Sequence, residues 1–535
     1  MLLRRGGRLG LIVPSALGSD DGARDLRALF LEQCQWEWDF VWTNKNKIFP
    51  IHGQYKFGAT IVTKGGQTHA ITTAFNRLDL AEWDTAETCP ALIDLPATTI
   101  SRLSPLSLAI VEPGSPRDLV LLEKLYRAPA ILLGSDSPDG WGITYATEFH
   151  MTNDSGLFHP RPWWEERGYR PDAYGRWRND EGATALPLYQ GRMLNHFDFS
   201  EKGWVSGVGR RAVWREIPYN NKVYEPQFLM DASTLKNQLE EKEETATTRI
   251  GFMDIGSATN KRSMYSSVIP PFPCGNKIPL LNLSNQKTIL LLEMSSLLNT
   301  FVYDYTLRQR LSGIALNYFI LAETPLLPPA AVARYPLALW AARLTLIHPL
   351  WAREWDALRG TYPTLATRPW RAWWATDVCE RLRLRCMIDA VVAHAWGLDD
   401  DDMAWLLRDD PHDPKGFWRV DKTLPYEQRQ TGLTLAAFRD LERMGVAAFC
   451  RDEWWGVPGC ERPSATYAAD AIATGWAECT HHAQIISATD PLRAREPAEP
   501  AVGTPQSLWH VPGEQQRLPK LFVPGEQLRL GEEGD

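Results

Sequence analysis

Gly6-Gly7-Arg8-Leu9-Gly10-Leu11-Ile12-Val13-Pro14-Ser15 carries the fold reading of this chain. The run is almost continuously apolar, without the polar alternation of a half-exposed strand, so it reads as a strand covered on both faces and ended by a turn. Downstream, Ser19 or Asp20 stands where it could cap a helix over about 22–33, with Leu26, Leu29 and Phe30 at core spacing. Trp36 to Trp42 alternates as a strand. Gln54 to Thr63 and His69 to Thr73 read as two more, joined into a hairpin by a turn at Gly65–Gly66. Strand, helix, strand and hairpin in this order predict the C-terminal portion of a doubly wound α/β sheet, truncated at its front.

The chain is too long for one core, because 535 residues exceed what a single hydrophobic interior usually serves. Residues 1–75 read as the truncated sheet, 76–110 as a proline-containing connector, and 111–330 as a mixed α+β region of short strands and polar loops. Residues 331–485 read as mainly helical and 486–535 as a flexible tail. A long amphipathic helix is predicted from roughly Asn285 to Leu311, and another from Asp377 to Trp396. In the latter, Arg381, Arg383 and Arg385 cannot share one face at a spacing of two, so they are expected to flank a packed helix.

A net charge of −8 argues against a protein that coats nucleic acid indiscriminately, although a local basic face remains compatible with it. The acidic excess is concentrated beyond residue 330, where 29 acidic residues face 23 basic ones. Eight cysteines without a Cys-x-x-Cys pair read as reduced thiols of a cytoplasmic protein. Cys450, Cys460 and Cys479 with His481 and His482 match no common zinc spacing, so no metal site is expected. The arginines at 4, 5 and 8 precede too short an apolar stretch for a secretory signal. Glu293 interrupts the apolar run from Leu290 to Leu298, which excludes a membrane span there. The 23 tryptophans are expected mostly in packing, since large rings supply burial wherever they sit.

Several segments, in order, resemble the class I adenine-specific DNA methyltransferases of the large type II restriction–modification and phage-defence kind. Gly6–Ser15 resembles their fifth core strand, and Phe49-Pro50-Ile51-His52-Gly53-Gln54-Tyr55-Lys56-Phe57 their approach to the final hairpin. Met151-Thr152-Asn153-Asp154-Ser155, Leu188-Tyr189-Gln190-Gly191-Arg192-Met193, Arg249-Ile250-Gly251-Phe252-Met253-Asp254-Ile255 and Ser312-Gly313-Ile314-Ala315-Leu316-Asn317-Tyr318-Phe319 follow, and the likeness spans about residues 6–440. That family binds S-adenosylmethionine through a glycine-rich turn and holds the target amine with an Asn/Asp-Pro-Pro-aromatic loop, both preceding the strand at which this chain starts. No Asn-Pro-Pro or Asp-Pro-Pro occurs in the sequence, and Gly207-Val208-Gly209 is too isolated to replace the cofactor turn.

The resemblance therefore implies a target-recognition half acting on double-stranded DNA, without catalytic or cofactor-binding residues of its own. S-adenosylmethionine would be bound mainly by an N-terminal half encoded separately, and other defence-system subunits are conceivable partners. A non-catalytic DNA-binding scaffold is the alternative. By position in the family, Phe49 would touch an extruded adenine, with Lys56, and more remotely His52, beside a backbone phosphate. In the recognition region Arg161, Trp163, Trp164, Arg192, Asn195, His196, Arg210, Arg211, Asn260, Lys261 and Arg262 are of the types that read DNA. Arginine can bridge guanine's two major-groove acceptors, asparagine can do the same for adenine, and lysine neutralises phosphate. A magnesium nuclease reading of Asp231, Glu240 and Lys242 is set aside, because the Glu240–Glu244 charge run reads as a solvated linker.

Overall fold

The computed structural model describes residues 3–53, 55–83, 92–127, 129–242, 247–463 and 466–492. It is a mixed α/β architecture of several small sheets, with helices accumulating toward the C-terminal side. No helix among the described residues is long and apolar enough to cross a membrane.

The opening run forms strand β1 (Arg8–Pro14). It is followed by helix α1 (Arg24–Gln33), β2 (Cys34–Thr43), β3 (Lys56–Lys64), β4 (Ala70–Arg77) and β5 (Ile93–Pro96). These strands make one sheet in the order β1-β3-β2-β4-β5. β3 runs antiparallel to both β1 and β2, so it is inserted between two mutually parallel strands, while β4 lies parallel to β2. The expected hairpin across Gly65–Gly66 is therefore corrected. Both glycines turn at positive φ, but β2 separates the two strands they connect. The hairpin is instead β2–β3, closed by the loop after Thr43.

Three local expectations also need correcting. Neither Ser19 nor Asp20 places a side-chain bond on α1, which starts after a short helical turn at Asp21–Ala23. Leu26 is exposed, whereas Arg27 is fully buried and donates to the carbonyls of Leu17, Asp20 and Ser107. In β2 the pairing register shifts between Trp36 and Trp38. An extra residue at such a bulge reverses the side on which later side chains emerge. Trp36 consequently packs with Phe30, Val62 and Ile71 on one face, and Phe40 and Trp42 with Phe57 and Ala74 on the other.

The middle of the chain supplies two further sheets of short strands. One runs in the order Phe158–Pro160, Phe228–Asp231, Thr184–Pro187, Trp177–Arg178, Arg170–Pro171. The other runs Ser266–Ile269, Arg249–Phe252, Leu280–Leu283, Ile143–Ala146. Lys202–Ser206 and Val213–Glu216 pair only with each other, as a separate two-stranded ribbon.

The single long helix expected over 285–311 is two, α2 (Thr288–Leu298) and α3 (Phe301–Arg310). Asn299 and Thr300 break it. The Asn299 amide donates to the carbonyls of Ser266 and Ser295. Thr300 adopts an extended backbone, its hydroxyl accepting from the Tyr303 N–H and donating to Leu297 O. Every residue of α3 is buried, so this helix is core rather than amphipathic.

Helix α4 (Val378–Ala395) forms as the periodicity predicts, with the Asp377 side chain capping its first turn. Arg381 and Arg383 on α4 are buried, the former donating to the carbonyls of Leu344, Ala375 and Phe197 and the latter paired with Glu380 and Glu453. The last described helix, Ala469–Ala488, carries helical structure slightly past residue 485. The expected flexible tail from residue 493 on lies outside the described residues. Glu240 and Glu241 end a helix, Ala232–Glu241, rather than a linker, and Glu243 and Glu244 also lie outside the described residues.

Candidate nucleic-acid interface

The β2–β3 loop is organised from inside by Asn44, which is fully buried. Its amide donates to the carbonyls of Phe49 and Ile51, and its carbonyl oxygen accepts from the Phe49 N–H at 2.9 Å. Phe49 is thereby held half-buried, edge-on to Phe57 with ring centres 4.8 Å apart. His52 lies on the exposed side of the loop.

Lys56, expected beside a phosphate, is committed elsewhere. Its ammonium pairs with Glu112 at 2.6 Å, and Lys415 meets the same carboxylate at 3.2 Å. Burial alone would raise the Glu112 carboxyl, but the two ammonium groups hold it below its ordinary value. Burial pushes Lys415 down to about 8 despite that partner. Breaking such a buried set to reach DNA would strand a charge, which typically costs about 3–5 kcal/mol.

Three more candidates serve packing. Trp164 is buried, its indole N–H shared between the carbonyls of His159 and Leu229. Trp163 is engaged by its own neighbours, the His159 ring stacked at 4.1 Å and the Arg167 guanidinium over it at 3.6 Å. Arg161 lies over the Trp204 ring at 4.7 Å and donates to Trp204 O.

His196 and Arg262 are buried as well. Burial, with the Arg262 guanidinium nearby, pushes the His196 imidazole well below its ordinary value. The ring contacts Met264 O, so it acts as a neutral hydrogen-bonding group. Arg262 pairs with Asp304 at 2.7 Å, and Arg308 pairs with the other oxygen of that carboxylate at 2.8 Å. Burial would raise Asp304, but the two guanidiniums bring it to about 2. Arg308 also donates to the carbonyls of Asn260 and Lys261, which fixes that loop from beneath. The side chains of Asn260 and Lys261 face solvent and make no hydrogen bond or ion pair with the described residues.

Arg192 is likewise exposed and unpaired among the described residues, in the turn Gly191–Met193. This turn is continuous with the ribbon, because Glu201 N–H donates to Met193 O and Ile217 N–H to Glu201 O. The half-buried Asn195 accepts from the His196 N–H within the same segment. At the far end of the ribbon, Arg210 and Arg211 are exposed and unpaired among the described residues.

The structure thus brings Arg192, Arg210 and Arg211 onto one connected segment and presents Asn260 and Lys261 on an adjoining loop. Phe197 N–H ties the first to the second through Ser266 O. Sequence reading missed the ribbon itself and Val208 at its turn. The signal was Gly207-Val208-Gly209 between two short β-prone runs, which marks the turn of a hairpin.

Two hollows test for a cofactor. One, about 270 Å³, lies at the C-terminal end of β1 and includes Val13, Pro14, Leu17, Asp20 and Gly22. It falls below the about 300–1,000 Å³ usual for a nucleoside-sized ligand, and it offers one carboxylate and no aromatic ring. These residues do not fit S-adenosylmethionine by themselves. The other hollow, of similar volume, lies beside the Trp163 stack and Asp231, whose carboxylate caps the following helix. No group of three or more histidine, cysteine, aspartate or glutamate residues positioned to hold a metal ion occurs among the described residues.

No family model and no curated protein matches the chain. Among solved structures, it aligns with the type IIL restriction–modification enzyme MmeI in complex with DNA at 9% identity and a TM-score of 0.36, over 75% of this chain and 49% of that one. It also aligns with the type IIG restriction endonuclease BpuSI at 10% identity and a TM-score of 0.27, over 74% of this chain and 48% of that one. The chain spans about half the length of these structures.

Proposed function

We propose that this chain is the DNA-recognition part of an adenine-specific DNA methyltransferase, and that a second polypeptide completes its sheet along β1. That polypeptide would carry the S-adenosylmethionine site and the methyl-transfer loop. The observation that carries the reading is the condition of β1. Its sequence is patterned for burial on both faces, yet it stands at the open edge of the sheet, with Leu11 41% and Ile12 67% exposed.

Ser15 N–H bonds Lys56 O, so the antiparallel ladder turns the odd-numbered residues toward β3. Arg8, Gly10 and Ile12 then direct their N–H groups outward, a template for an added strand. Strand addition there would cover the apolar side chains and satisfy the ladder together. It would also set the β2–β3 loop, with Phe49, beside whatever catalytic loop the added sheet brings. Exposed Arg192, Arg210, Arg211, Asn260 and Lys261 supply the hydrogen-bond and charge types that DNA grooves accept.

Co-expression with the polypeptide encoded immediately upstream tests this. Purified pairs should transfer labelled methyl groups from S-adenosylmethionine to adenine in duplex DNA, and this chain alone should not. Two soluble halves that associate, bind DNA and transfer nothing would leave the binding scaffold as the better reading.

A further inference from the structure

We infer that the Lys202–Ser206/Val213–Glu216 ribbon enters the major groove of duplex DNA, setting Val208 against the base edges and Arg210 and Arg211 against the flanking phosphates. This rests on the DNA-recognition reading above and adds where, and in which groove, the contact is made.

The ribbon is anchored at its root and bare at its tip. Trp204 is buried, and its strand neighbour Trp214 lies directly opposite. The Trp204 indole N–H donates to Gly207 O at 2.9 Å, and the Gln227 amide reaches the same carbonyl. Arg161 covers the Trp204 ring. Beyond this root the chain is exposed from Val205 through Arg211, with Val205, Val208 and Val213 at 45%, 72% and 52%.

The turn is set by glycine. Gly207 has φ +77°, and a Cβ there would lie 2.5 Å from Arg211 O, while Gly209 has φ +56°. The tip is therefore a tight, defined turn that offers one apolar side chain followed by two arginines.

Charge and dimensions select the partner. Between residues 202 and 216 the sequence has four basic residues, Lys202, Arg210, Arg211 and Arg215, and one acidic residue, Glu216, on a chain whose net charge is −8. The one ion pair that this stretch makes among the described residues, Arg215 with Glu225, sits near the root and leaves the tip cationic. Two strands about 4.8 Å apart, with side chains, fill the about 12 Å major groove and exceed the about 6 Å minor groove. The apolar feature on the major-groove floor is the thymine methyl, which is the contact an exposed valine can make.

The experiment uses the full chain and fluorescence anisotropy. Duplexes are first selected by the wild-type protein from a random pool, then remade with deoxyuridine in place of thymidine. Removing the methyl should weaken wild-type binding about fourfold and leave Val208→Ala indifferent. The double variant R210A/R211A should lower the slope of log affinity against log salt by about 2, and R210K/R211K should restore it. If the wild type binds duplex DNA but R210A/R211A leaves the slope unchanged, or deoxyuridine has no effect, the ribbon assignment is overturned while the recognition reading stands. Displacement by a minor-groove ligand such as netropsin overturns it equally. A wild-type chain that binds no duplex at all overturns both, and an acidic protein surface then becomes the better partner for the tip.

Discussion

Replacing Glu293 by glutamine should stabilise the protein at about pH 8 and change little at about pH 5. Glu293 lies on α2 with 2% of its surface exposed, and its Oε2 atom is buried without a hydrogen-bond partner among the described residues. Burial alone pushes its carboxyl from 4.5 up to about 7. Tyr362 lies near it, itself pushed up to about 12 by burial and by the Glu293 charge, and no cation among the described residues relieves the carboxylate. The folded state therefore holds this proton more tightly than the unfolded state does. Below about pH 4.5 both states are protonated and there is no penalty. Between about pH 4.5 and 7 the unfolded chain releases the proton first, and stability falls as pH rises. Above about pH 7 the penalty is complete, and the shift from 4.5 to about 7 corresponds to about 3 kcal/mol.

Glutamine keeps the shape and remains a buried polar group, so part of the desolvation cost persists. The net gain at about pH 8 is expected at about 1–3 kcal/mol. Urea unfolding followed by tryptophan fluorescence measures it as a shift in midpoint at each pH. At about pH 5 the native carboxyl is mostly neutral, and the two midpoints should nearly coincide. A gain of equal size at both pH values, or a loss at about pH 8, would refute the reasoning, because either result means the carboxylate is already compensated.

Thr300→Ala should cost about 1 kcal/mol, seen as a lower urea midpoint, because it removes the hydroxyl that caps α3 and closes the break after α2. An unchanged midpoint would assign the break to Asn299 alone. Asn44→Ala removes the amide that holds the Phe49 and Ile51 carbonyls, so it should destabilise by about 1–3 kcal/mol and speed proteolysis within residues 44–53. Cleavage at the wild-type rate would contradict that role. Ile12→Lys should suppress self-association of the isolated chain in sedimentation velocity, since a charge on an edge strand blocks pairing. A wild type that stays monomeric at every concentration would count against β1 as an adhesive edge.

The sequence discloses local patterns and hides pairings. β1, α1 and β2 were legible because each is written in a few consecutive residues, from the apolar run 8–14 to the tryptophan alternation 36–42. The position of β3 between β1 and β2 was not, because Gly65–Gly66 states only that the chain reverses and not which strand it then lies beside. The bulge near Glu37 was equally invisible, since one extra residue leaves the composition unchanged and reverses the side of everything after it. The break at Asn299–Thr300 could have been read from two residues that favour caps, but the apolar spacing on either side runs straight through them.

The candidate interface shows the same division within three residues. Asn260, Lys261 and Arg262 are consecutive and all of DNA-reading type, yet the first two face solvent and the third is buried. Asp304 decides the difference. A fully buried carboxylate needs cationic partners, so it turns Arg262 inward and, through Arg308, supplies the donors that the Asn260 and Lys261 carbonyls would otherwise lack. The buried group of Asp304, Arg262 and Arg308 is thus what rigidifies the loop that exposes the two neighbours of Arg262. A loop held this way has already lost its freedom in folding, so ordering it costs little when a ligand binds. Trp204 does the same for the ribbon, fixing Gly207 O from below while Arg210 and Arg211 stay outside. Residue type could nominate these side chains, but only the buried groups beneath them determine which are free to meet a ligand.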